Sequence, residues 1–427
     1  MTPETRLRLT KTAVWILRLA VGGIFIVSGA AKMTDPYGFI YKINDYLAAW
    51  HLSVSKGPVV FTAVLLSATE FLTGVTLATG SMRRLSVWVA SAMMAFMLPL
   101  TLYVAIADPV ADCGCFGDLW IISNWATFFK NIAIAAGLAV LLLYNRRVEG
   151  LFTPMSQWMQ ITLAAGWIGW VGLVGYNEQP LLDFRPYPVG SPLLHEADSS
   201  EIIYRYASPD GTTANFPASE LPDEGDGQWT FVERIDPDGG VTESAFAVFD
   251  SDGADATYDL IGATDRQLLM LVPDVKAAGI SETYVANELA RHISSISDNP
   301  SASFAAIVSA TTDQESMDEW LDLAMADYPV YTAEDTAIKT VARGKMALVF
   351  LRNDTVIWKR TLASINPDQI EAPDFTLEEL RTDGPHRFRH SLMILLLSEI
   401  VVMLMGRGAT FSRLQFIRSR RKARANS

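Results

Sequence analysis

The chain contains long runs of apolar residues that are separated by short polar segments. Five runs are close to the about 20 residues that an α-helix needs to cross about 30 Å of hydrocarbon, and a sixth is shorter and contains Glu399. The runs cover residues 13–31, 58–80, 85–107, 123–144, 158–176 and 390–405. Because a soluble enzyme rarely concentrates its apolar residues in this way, the sequence predicts a membrane protein with six transmembrane helices.

The charge is distributed unevenly along the chain. Of the 47 acidic residues 38 lie between positions 178 and 383, together with only 13 of the 34 basic residues, so this segment has a net charge of −25. The rest of the chain has a net charge of +12, although the whole chain has −13. This asymmetry predicts an acidic aqueous domain inserted into a basic membrane part. It argues against a nucleic-acid partner, which would require a basic surface on the aqueous domain.

The basic residues outside the acidic segment form four clusters. The clusters are Arg6, Arg8 and Lys11; Arg83 and Arg84; Arg146 and Arg147; and the tail residues Arg407, Arg413, Arg418, Arg420, Arg421, Lys422 and Arg424. Six membrane crossings place all four clusters on one side, and the positive-inside rule makes that side the cytoplasm. We therefore expect a multi-pass protein of the bacterial inner membrane with both termini cytoplasmic and residues from about 177 to 388 in the periplasm. The first run lacks a small-residue cleavage site, so we expect a retained helix rather than a signal peptide.

The acidic segment has the pattern of an α/β domain. A proline-rich linker covers 180–192, and Asp210-Gly211 and Asp238-Gly239 indicate turns between short strands. Beyond Arg266 the sequence predicts strands at 268–272 and 304–309, helices at 282–296 and 315–325, and a hairpin of strands 346–351 and 355–360.

The chain has only two cysteines, Cys113 and Cys115, in the segment 112–118 (DCGCFGD) between the third and fourth runs. The functional interpretation is a dithiol/disulfide pair on the periplasmic side, and the alternatives are a structural disulfide or two unpaired thiols. A bridge across so short a loop would add little stability and would be strained, which favours exchange. The flanking aspartates act against reactivity, because nearby negative charge raises a thiol pKa. None of the five histidines is near the cysteines, so we expect no metal site.

Several ionisable residues lie within or at the ends of the apolar runs. Arg18, Lys32 and Glu70 are the main candidates, since such residues usually face the bundle interior and pair. Arg18 could instead extend to the cytoplasmic surface, and the different depths of Lys32 and Glu70 leave a direct pair open. Similar residues are Lys130, Asn131 and Glu399. Trp120 and Trp125 are expected in the interfacial aromatic belt, with a nearby quinone site as the alternative.

Four motifs carry a resemblance to a known family. They are 24–32 (IFIVSGAAK), 35–39 (DPYGF), 70–74 (EFLTG) and 113–117 (CGCFG). Together they resemble the DoxX superfamily, and in particular its MauE type, named for methylamine utilisation, over about residues 10–145. The resemblance implies a four-helix membrane bundle that takes part in disulfide handling and quinone-linked electron flow. It gives Cys113 and Cys115 the paired-cysteine role and makes quinone the candidate cofactor. Disulfide-generating quinone reductases with a comparable bundle use two cysteine pairs, whereas this chain has one.

A second resemblance covers about residues 257–365, which are similar to a thioredoxin fold. The segment 341–350 (VARGKMALVF) resembles the region around the thioredoxin cis-proline, with Met346 where the proline would be. No cysteine follows the predicted strand 268–272, where the redox pair would lie. We therefore expect this domain to bind a partner or a peptide rather than to exchange disulfides itself.

The predicted fold is a membrane all-α four-helix bundle (DoxX-like) with two further transmembrane helices and a periplasmic α/β thioredoxin-like domain. The expected regions are the bundle at 1–150, a fifth transmembrane helix at 151–180, a β-rich linker region at 181–256, the thioredoxin-like domain at 257–386, and a sixth helix with a basic tail at 387–427.

Two functional interpretations follow. In the first, the cysteine pair exchanges electrons with a periplasmic thiol protein, and the chain is a thiol–disulfide oxidoreductase or its accessory subunit, linked to quinone. In the second, the chain is a non-enzymatic scaffold whose periplasmic domain recruits envelope proteins.

Overall fold

The structure is a computed structural model that describes residues 3–110, 112–194, 203–208, 213–217, 230–235, 246–296, 302–372 and 374–425. The chain divides into two compact units. A helical unit contains Met1–Arg185 and Asp383–Ser427, and a second unit contains Pro186–Thr382.

The helical unit is built from six long helices and one short one. They are α1 (Pro3–Thr34), α2 (Pro36–Ala49), α3 (Lys56–Thr79), α4 (Leu85–Ala107), α5 (Asn124–Tyr144), α6 (Ser156–Asn177) and α12 (Gly384–Ala425). Within the described part of the chain, six helices are long and apolar enough to cross a membrane. The prediction of six transmembrane helices is therefore confirmed. Helix α12 is much longer than the apolar run 390–405, because polar residues continue the helix on both sides of that run.

Small residues allow a close contact between α1 and α3. A Cβ atom on Gly74 would lie 2.5 Å from the backbone nitrogen of Ile26, and one on Gly22 would lie 2.7 Å from that of Ala78. These distances are shorter than real Cβ atoms adopt, so the two backbones touch directly, as is common where membrane helices pack through small residues.

The short helix α2 was not predicted from the sequence. Pro36 occupies its first turn, and Oδ1 of Asp35 caps it by accepting a hydrogen bond of 3.0 Å from the Gly38 backbone N–H. Tyr37 is buried and stacks on Tyr176 of α6 with ring centroids 4.9 Å apart. Helix α2 is thereby fixed beside the loop that carries the cysteines.

The second unit contains two sheets. A three-stranded antiparallel sheet has the order β2-β1-β3 and consists of β1 (Ile203–Ala207), β2 (Thr213–Pro217) and β3 (Thr230–Ile235). The two predicted turns, at Asp210-Gly211 and Asp238-Gly239, both lie outside the described residues.

The larger sheet has six strands in the order β4-β7-β6-β5-β8-β9. Its strands are β4 (Val248–Phe249), β5 (Arg266–Val272), β6 (Ala302–Ser309), β7 (Val330–Ala333), β8 (Ala347–Arg352) and β9 (Thr355–Thr361). Its helices are α7 (Thr257–Leu260), α8 (Ile280–Ile296), α9 (Gln314–Ala324), α10 (Asp335–Val341) and α11 (Pro367–Ile370). Strands β5, β6 and β7 are parallel, whereas β8 and β9 form an antiparallel hairpin on the other side of β5. This order is the thioredoxin-like arrangement that the sequence predicted.

Alternate residues of the central strand β5 point to opposite faces of the sheet. Leu268, Met270 and Val272 pack in a cluster with α8 and α9, and Leu269 and Leu271 pack in a cluster with α10. A strand covered on both faces reads as a continuous apolar run, which is why β5 was recognisable in the sequence.

Candidate functional site

Both cysteines lie in the loop between α4 and α5, and polar contacts fix that loop at its base. Asp108 ends α4 with a φ of 44°, and its Oδ1 accepts a hydrogen bond of 2.8 Å from Nδ2 of Asn124 at the start of α5. The same Asn124 nitrogen donates to the carbonyl of Val110 at 3.3 Å. The two ends of the loop are thereby connected directly.

Asp112 organises the segment next to the cysteines. Its Oδ1 accepts a hydrogen bond of 2.7 Å from the Gly114 backbone N–H, and its Oδ2 lies 2.8 Å from Nζ of Lys42 in α2. Gly114 has a φ of 67°, which favours glycine. The Lys42 ammonium group also offsets the negative charge of Asp112, which the sequence analysis had counted against thiol reactivity.

The two thiols point toward each other. The Sγ atoms of Cys113 and Cys115 lie 3.2 Å apart, and neither cysteine is in a disulfide. A disulfide needs about 2.05 Å between the sulfurs, so a small movement of the loop would join them. Cys113 is only 7% exposed, while Cys115 is partly buried.

The thiols are electrostatically different. The hydrogen bond between the two sulfurs lowers the pKa of Cys115, and the ammonium groups of Lys130 and Lys32 lower it further, against burial and the Glu70 carboxylate. The same sulfur–sulfur hydrogen bond, together with burial, raises the pKa of Cys113. Of the two thiols, Cys115 therefore has the lower pKa.

A polar chain runs from inside the helical bundle to the cysteine loop. Nζ of Lys32 in α1 lies 2.9 and 2.8 Å from Oε1 and Oε2 of Glu70 in α3, and Lys32 is only 4% exposed. Ser28, one turn before Lys32, has its Oγ 2.9 Å from Oε2 of Glu70 and donates a hydrogen bond of 2.6 Å to the carbonyl of Cys115. The direct Lys32–Glu70 pair, left open by the sequence, thus exists and contacts the cysteine loop through Ser28.

A small cavity adjoins this chain on the inner side of the loop. It has a volume of about 40 Å³, and its polar lining consists of Ser28, Glu70, Cys115, Lys130 and Asn131. Lys130, one of the intramembrane candidates, also has its Nζ 4.3 Å from the ring centroid of Phe116. Four helices and the cysteine loop therefore meet around one internal space.

Comparison with protein families gives one match to this region. Residues 10–144 match the family described as methylamine utilisation protein MauE. The match contains both cysteines and the Ser28, Lys32 and Glu70 chain. Residues 10–144 form a MauE-type membrane domain.

Solved structures give weaker similarity. One is a secreted disulfide oxidoreductase of Mycobacterium tuberculosis, described as homologous to E. coli DsbE, with 19% identity, 26% of this chain and 78% of that chain covered, and a TM-score of 0.20. Another is a thioredoxin-like protein from Bacteroides caccae, with 12% identity, 71% of this chain and 80% of that chain covered, and a TM-score of 0.21. Scores of this size establish no common fold, so the thioredoxin-like description rests on the strand order. Among curated proteins, none matches the chain.

Arg18 lies apart from the cysteines, at the other end of the MauE-type domain. It is 0% exposed and donates hydrogen bonds to Oδ1 and the carbonyl of Asn145 at 2.7 and 2.9 Å, and to the carbonyls of Val148 and Glu149 at 2.8 and 3.1 Å. The alternative that Arg18 extends to the surface is therefore wrong. Its position indicates a structural role, capping the chain that leaves α5.

A larger cavity of about 800 Å³ lies between α1 and α3 of the MauE-type domain and α6 and α12. Its lining is almost entirely apolar, with Gln160 and Glu399 among the few polar side chains. Among the described residues, neither carboxylate oxygen of Glu399 has a hydrogen-bond partner. An alternative quinone site was predicted near Trp120 and Trp125. These side chains are 66% and 51% exposed, and they line neither this cavity nor the one beside Cys115.

The described residues contain no group of three or more His, Cys, Asp or Glu side chains that could hold a metal ion. The side chains that sequence reasoning missed at the site are Ser28 and Lys42. Ser28 lies in the motif 24–32, whose residue types do not show that its hydroxyl reaches the cysteine loop, and Lys42 belongs to the helix that was not predicted.

Proposed function

We propose that this chain is a membrane-bound thiol–disulfide exchange protein in which Cys113 and Cys115 form the redox pair. The observation that carries the proposal is the 3.2 Å separation of the two sulfurs in a loop that is fixed at both ends. Such a pair can alternate between a dithiol and a disulfide with little movement of the surrounding helices. The MauE-type domain supports a redox-related role for the membrane part.

Cys115 is the attacking thiol in this proposal, because its pKa is lowered and it is less buried than Cys113. Its thiolate attacks one sulfur of a client disulfide, and the other client sulfur leaves. Cys113 then attacks Sγ of Cys115 and releases the client as a dithiol, which has gained two electrons and two protons. The reverse sequence oxidises a client dithiol. The partner is accordingly a thiol or disulfide protein of the cell envelope.

A quinone is the membrane electron acceptor that the family resemblance implies. The cavity of about 800 Å³ fits a lipophilic molecule of that kind, since ligand pockets usually have volumes of about 300–1,000 Å³ and are mostly apolar. Gln160 could donate a hydrogen bond to a quinone oxygen there. When bound, such a group would accept the two electrons of the reduced pair.

We also propose that the domain lies in the bacterial inner membrane with its basic end in the cytoplasm. The basic connections meet at one end of the helical unit, where Nη1 of Arg83 donates to the carbonyl of Arg146 at 3.1 Å and Nε of Arg407 donates to that of Leu151 at 3.1 Å. The cysteine loop connects the opposite ends of α4 and α5. The positive-inside rule then places the cysteines in the periplasm.

The second unit is proposed to bind the client. It has the thioredoxin-like strand order, but the chain has no cysteine beyond Cys115, so this unit has no thiol of its own. If binding is its only role, the exchange chemistry depends on the membrane domain alone.

The test compares two variants in a strain that lacks the protein. The Cys113→Ser/Cys115→Ser variant changes little volume, and losing a bridge across so short a loop should lower the free energy of unfolding by at most about 1–2 kcal/mol. We expect it to accumulate in the membrane and to fail to complement. Deletion of residues 186–382 should leave a cysteine pair that still changes redox state, as measured by thiol labelling.

The single-serine variants supply the matched comparison. Removing Cys113 should trap a mixed disulfide on Cys115, whereas removing Cys115 should trap less. An abundant double-serine protein that complements fully would refute the exchange function. Together with loss of function in the deletion, it would favour the scaffold interpretation.

A further inference from the structure

Glu70 is a nearly buried carboxyl group inside the MauE-type domain, and the exchange reaction as described above does not use it. Its exposed fraction is 13%, and both of its oxygens accept hydrogen bonds from Lys32. Ionisable residues at membrane depth are costly, and they are usually retained where they serve a function. The ion pair alone would explain the position of Glu70, but not its contact with Ser28.

The hydrogen bonds around Glu70 can accommodate one more proton, on Oε2 of its carboxyl group. Lys32 uses its three N–H groups on Oε1 and Oε2 of Glu70 and on Ser28 Oγ, at 2.9, 2.8 and 3.2 Å. Ser28 Oγ faces two acceptors, the Cys115 carbonyl at 2.6 Å and Oε2 of Glu70 at 2.9 Å. A hydroxyl group has one hydrogen, so it cannot donate fully to both. If Oε2 carries a proton, Glu70 donates to Ser28 and every contact is satisfied.

The cavity connects this carboxyl group to the thiol. Glu70 and Cys115 both line the space of about 40 Å³, together with Lys130. A buried water needs about 10–15 Å³ of such volume and 2–4 polar partners, and the cavity provides both. Water in this space can bridge the Cys115 thiol and the Glu70 carboxylate.

We propose that Glu70 accepts the proton of the Cys115 thiol when the cysteine pair becomes oxidised, with Lys32 and Ser28 positioning its carboxylate. The proposal rests on the exchange function given above and adds the group that handles its proton. Glu70 acts through water and does not touch the sulfur, so it is a positioning residue for proton transfer.

The step is balanced as follows. The Cys115 S–H bond breaks and its proton passes through cavity water to Glu70, while Cys115 Sγ bonds to one sulfur of the client disulfide. The other client sulfur leaves with the electron pair of the broken bond and takes a proton from solvent. Cys113 then loses its proton to solvent and attacks Sγ of Cys115, so the bond between Cys115 and the client breaks. The second client sulfur leaves with the electron pair of that bond and takes a proton from solvent, and Glu70 returns its own proton to solvent. Two electrons and two protons thus reach the client.

The charged and titratable groups around Glu70 come from three places. Lys32 pairs with it from α1, Lys130 shares its cavity from α5, and Cys115 faces it from the loop. Helix α4 contributes Met93, Met94 and Met97 to the cavity, and among the described residues α2 and α6 contribute no side chain to it. Lys32 and Lys130 are thus the two cations that face the cavity side of Glu70.

The experiment measures the reaction of Cys115 with 4,4′-dithiodipyridine, an uncharged disulfide, in full-length protein carrying Cys113→Ser. The rate is recorded from about pH 5.5 to 8.5. We expect Glu70→Gln to lower the rate at pH 6.5 by about tenfold, since loss of a general base typically costs at least that much, and to move the rise in rate to higher pH. A purely electrostatic role predicts the opposite sign, because removing a negative charge lowers the thiol pKa and speeds the reaction.

Three variants complete the test. Glu70→Asp keeps a carboxylate and should retain most of the rate at pH 6.5. Glu149→Gln removes an exposed carboxylate in the loop after α5 and should change nothing. Lys32→Met/Glu70→Gln removes both charges and should be as slow as Glu70→Gln, even if that single variant accumulates poorly. An unchanged or faster rate with Glu70→Gln overturns the inference alone, whereas an unreactive Cys115 in the parent overturns the exchange function as well.

Discussion

Gly114 separates the two cysteines, and its conformation decides how their side chains meet. Its φ of 67° is in the left-handed region, and a Cβ atom at this position would lie 2.6 Å from Cγ of Lys42. The Lys42 side chain passes over this glycine to reach Asp112. A side chain at position 114 would therefore displace Lys42 from Asp112 as well as strain the backbone.

Gly114→Ala should expose Cys113, which is 7% exposed in the structure. We expect maleimide to label Cys113 several-fold faster than in the parent, measured in a Cys115→Ser background. Gly117→Ala is the matched control. Gly117 has a φ of 55° in the same loop, but its Cβ would meet nothing within 4 Å. In both variants the left-handed backbone lowers the free energy of unfolding by about 1–2 kcal/mol. Equal labelling of the two variants would therefore show that the contact with Lys42 does not keep Cys113 buried.

Arg18 shows how a buried charge can be structural. Its guanidinium donates to three backbone carbonyls and one side-chain amide at the end of α5 and in the loop that follows. The planar five-donor geometry of arginine suits this task, and a lysine could satisfy fewer of these acceptors. Arg18 thus belongs to the framework, whereas Lys32 and Glu70 belong to the site.

At the scale of elements, the contact between α1 and α3 determines where the polar chain lies. Ser28 and Lys32 are on α1 and Glu70 is on α3, so their contacts depend on how closely these helices approach. Gly22 allows that approach, because a Cβ there would lie 2.7 Å from the nitrogen of Ala78. Its neighbour Gly23 has nothing within 4 Å of the same hypothetical atom.

Adjacent glycines on α1 therefore provide a controlled pair of substitutions. Gly22→Ala should lower the free energy of unfolding by up to about 2 kcal/mol, because overpacking costs about 1–3 kcal/mol and improved helix propensity returns about 1 kcal/mol. Gly23→Ala should be neutral or stabilising. Thermal unfolding of the detergent-solubilised protein measures both effects. Equal behaviour of the two variants would contradict the close packing of α1 on α3.

Elements with a strong periodic or compositional signal were predictable from the sequence. The six apolar helices and the strands β5, β6, β8 and β9 were all found, and the ends of these strands differ by at most two residues from the predicted ones. Helix α1 begins at Pro3, well before its apolar run 13–31. Helix α2 was missed because it is short and lies between two apolar runs. Strands β4 and β7 were missed because two and four residues are too few to show alternation. The length of α12 was missed because hydropathy detects only its apolar part.

The candidate site was predictable in its residue types but not in its geometry. The two cysteines of the chain, and the charged residues within its apolar runs, can be recognised from the sequence alone. The Ser28–Cys115 contact joins residues 87 positions apart, and the cavity depends on four helices at once. The depths of Lys32 and Glu70 in the membrane, estimated from helical rise, did not decide whether the two residues pair. Such an estimate omits the length of the lysine side chain.

At the scale of the whole molecule, the exchange function depends on which side of the membrane the cysteine loop faces. The basic residues Arg83, Arg146 and Arg407 lie near one another at the opposite end of the helical unit. The second unit is inserted in the chain between α6 and α12, so the proposed six-crossing topology predicts that it is on the same side of the membrane as the cysteine loop. An oxidising compartment on that side is required for a stable disulfide.

This orientation predicts how two introduced cysteines react in the Cys113→Ser/Cys115→Ser background. Ser251→Cys lies at an exposed position of the second unit, and Glu149→Cys lies at an exposed position of the loop after α5. With a membrane-impermeant maleimide applied to spheroplasts, we expect Ser251→Cys to be labelled at once and Glu149→Cys only after detergent is added. Both positions are exposed to water, so a difference in labelling reports the side of the membrane and not burial.

The reverse pattern would place Cys113 and Cys115 in the reducing cytoplasm, where the pair would stay reduced and could not oxidise envelope proteins. Labelling of both positions before detergent would place both on the outer side, so the chain would cross the membrane an even number of times between residues 149 and 251 and the six-helix topology would be wrong.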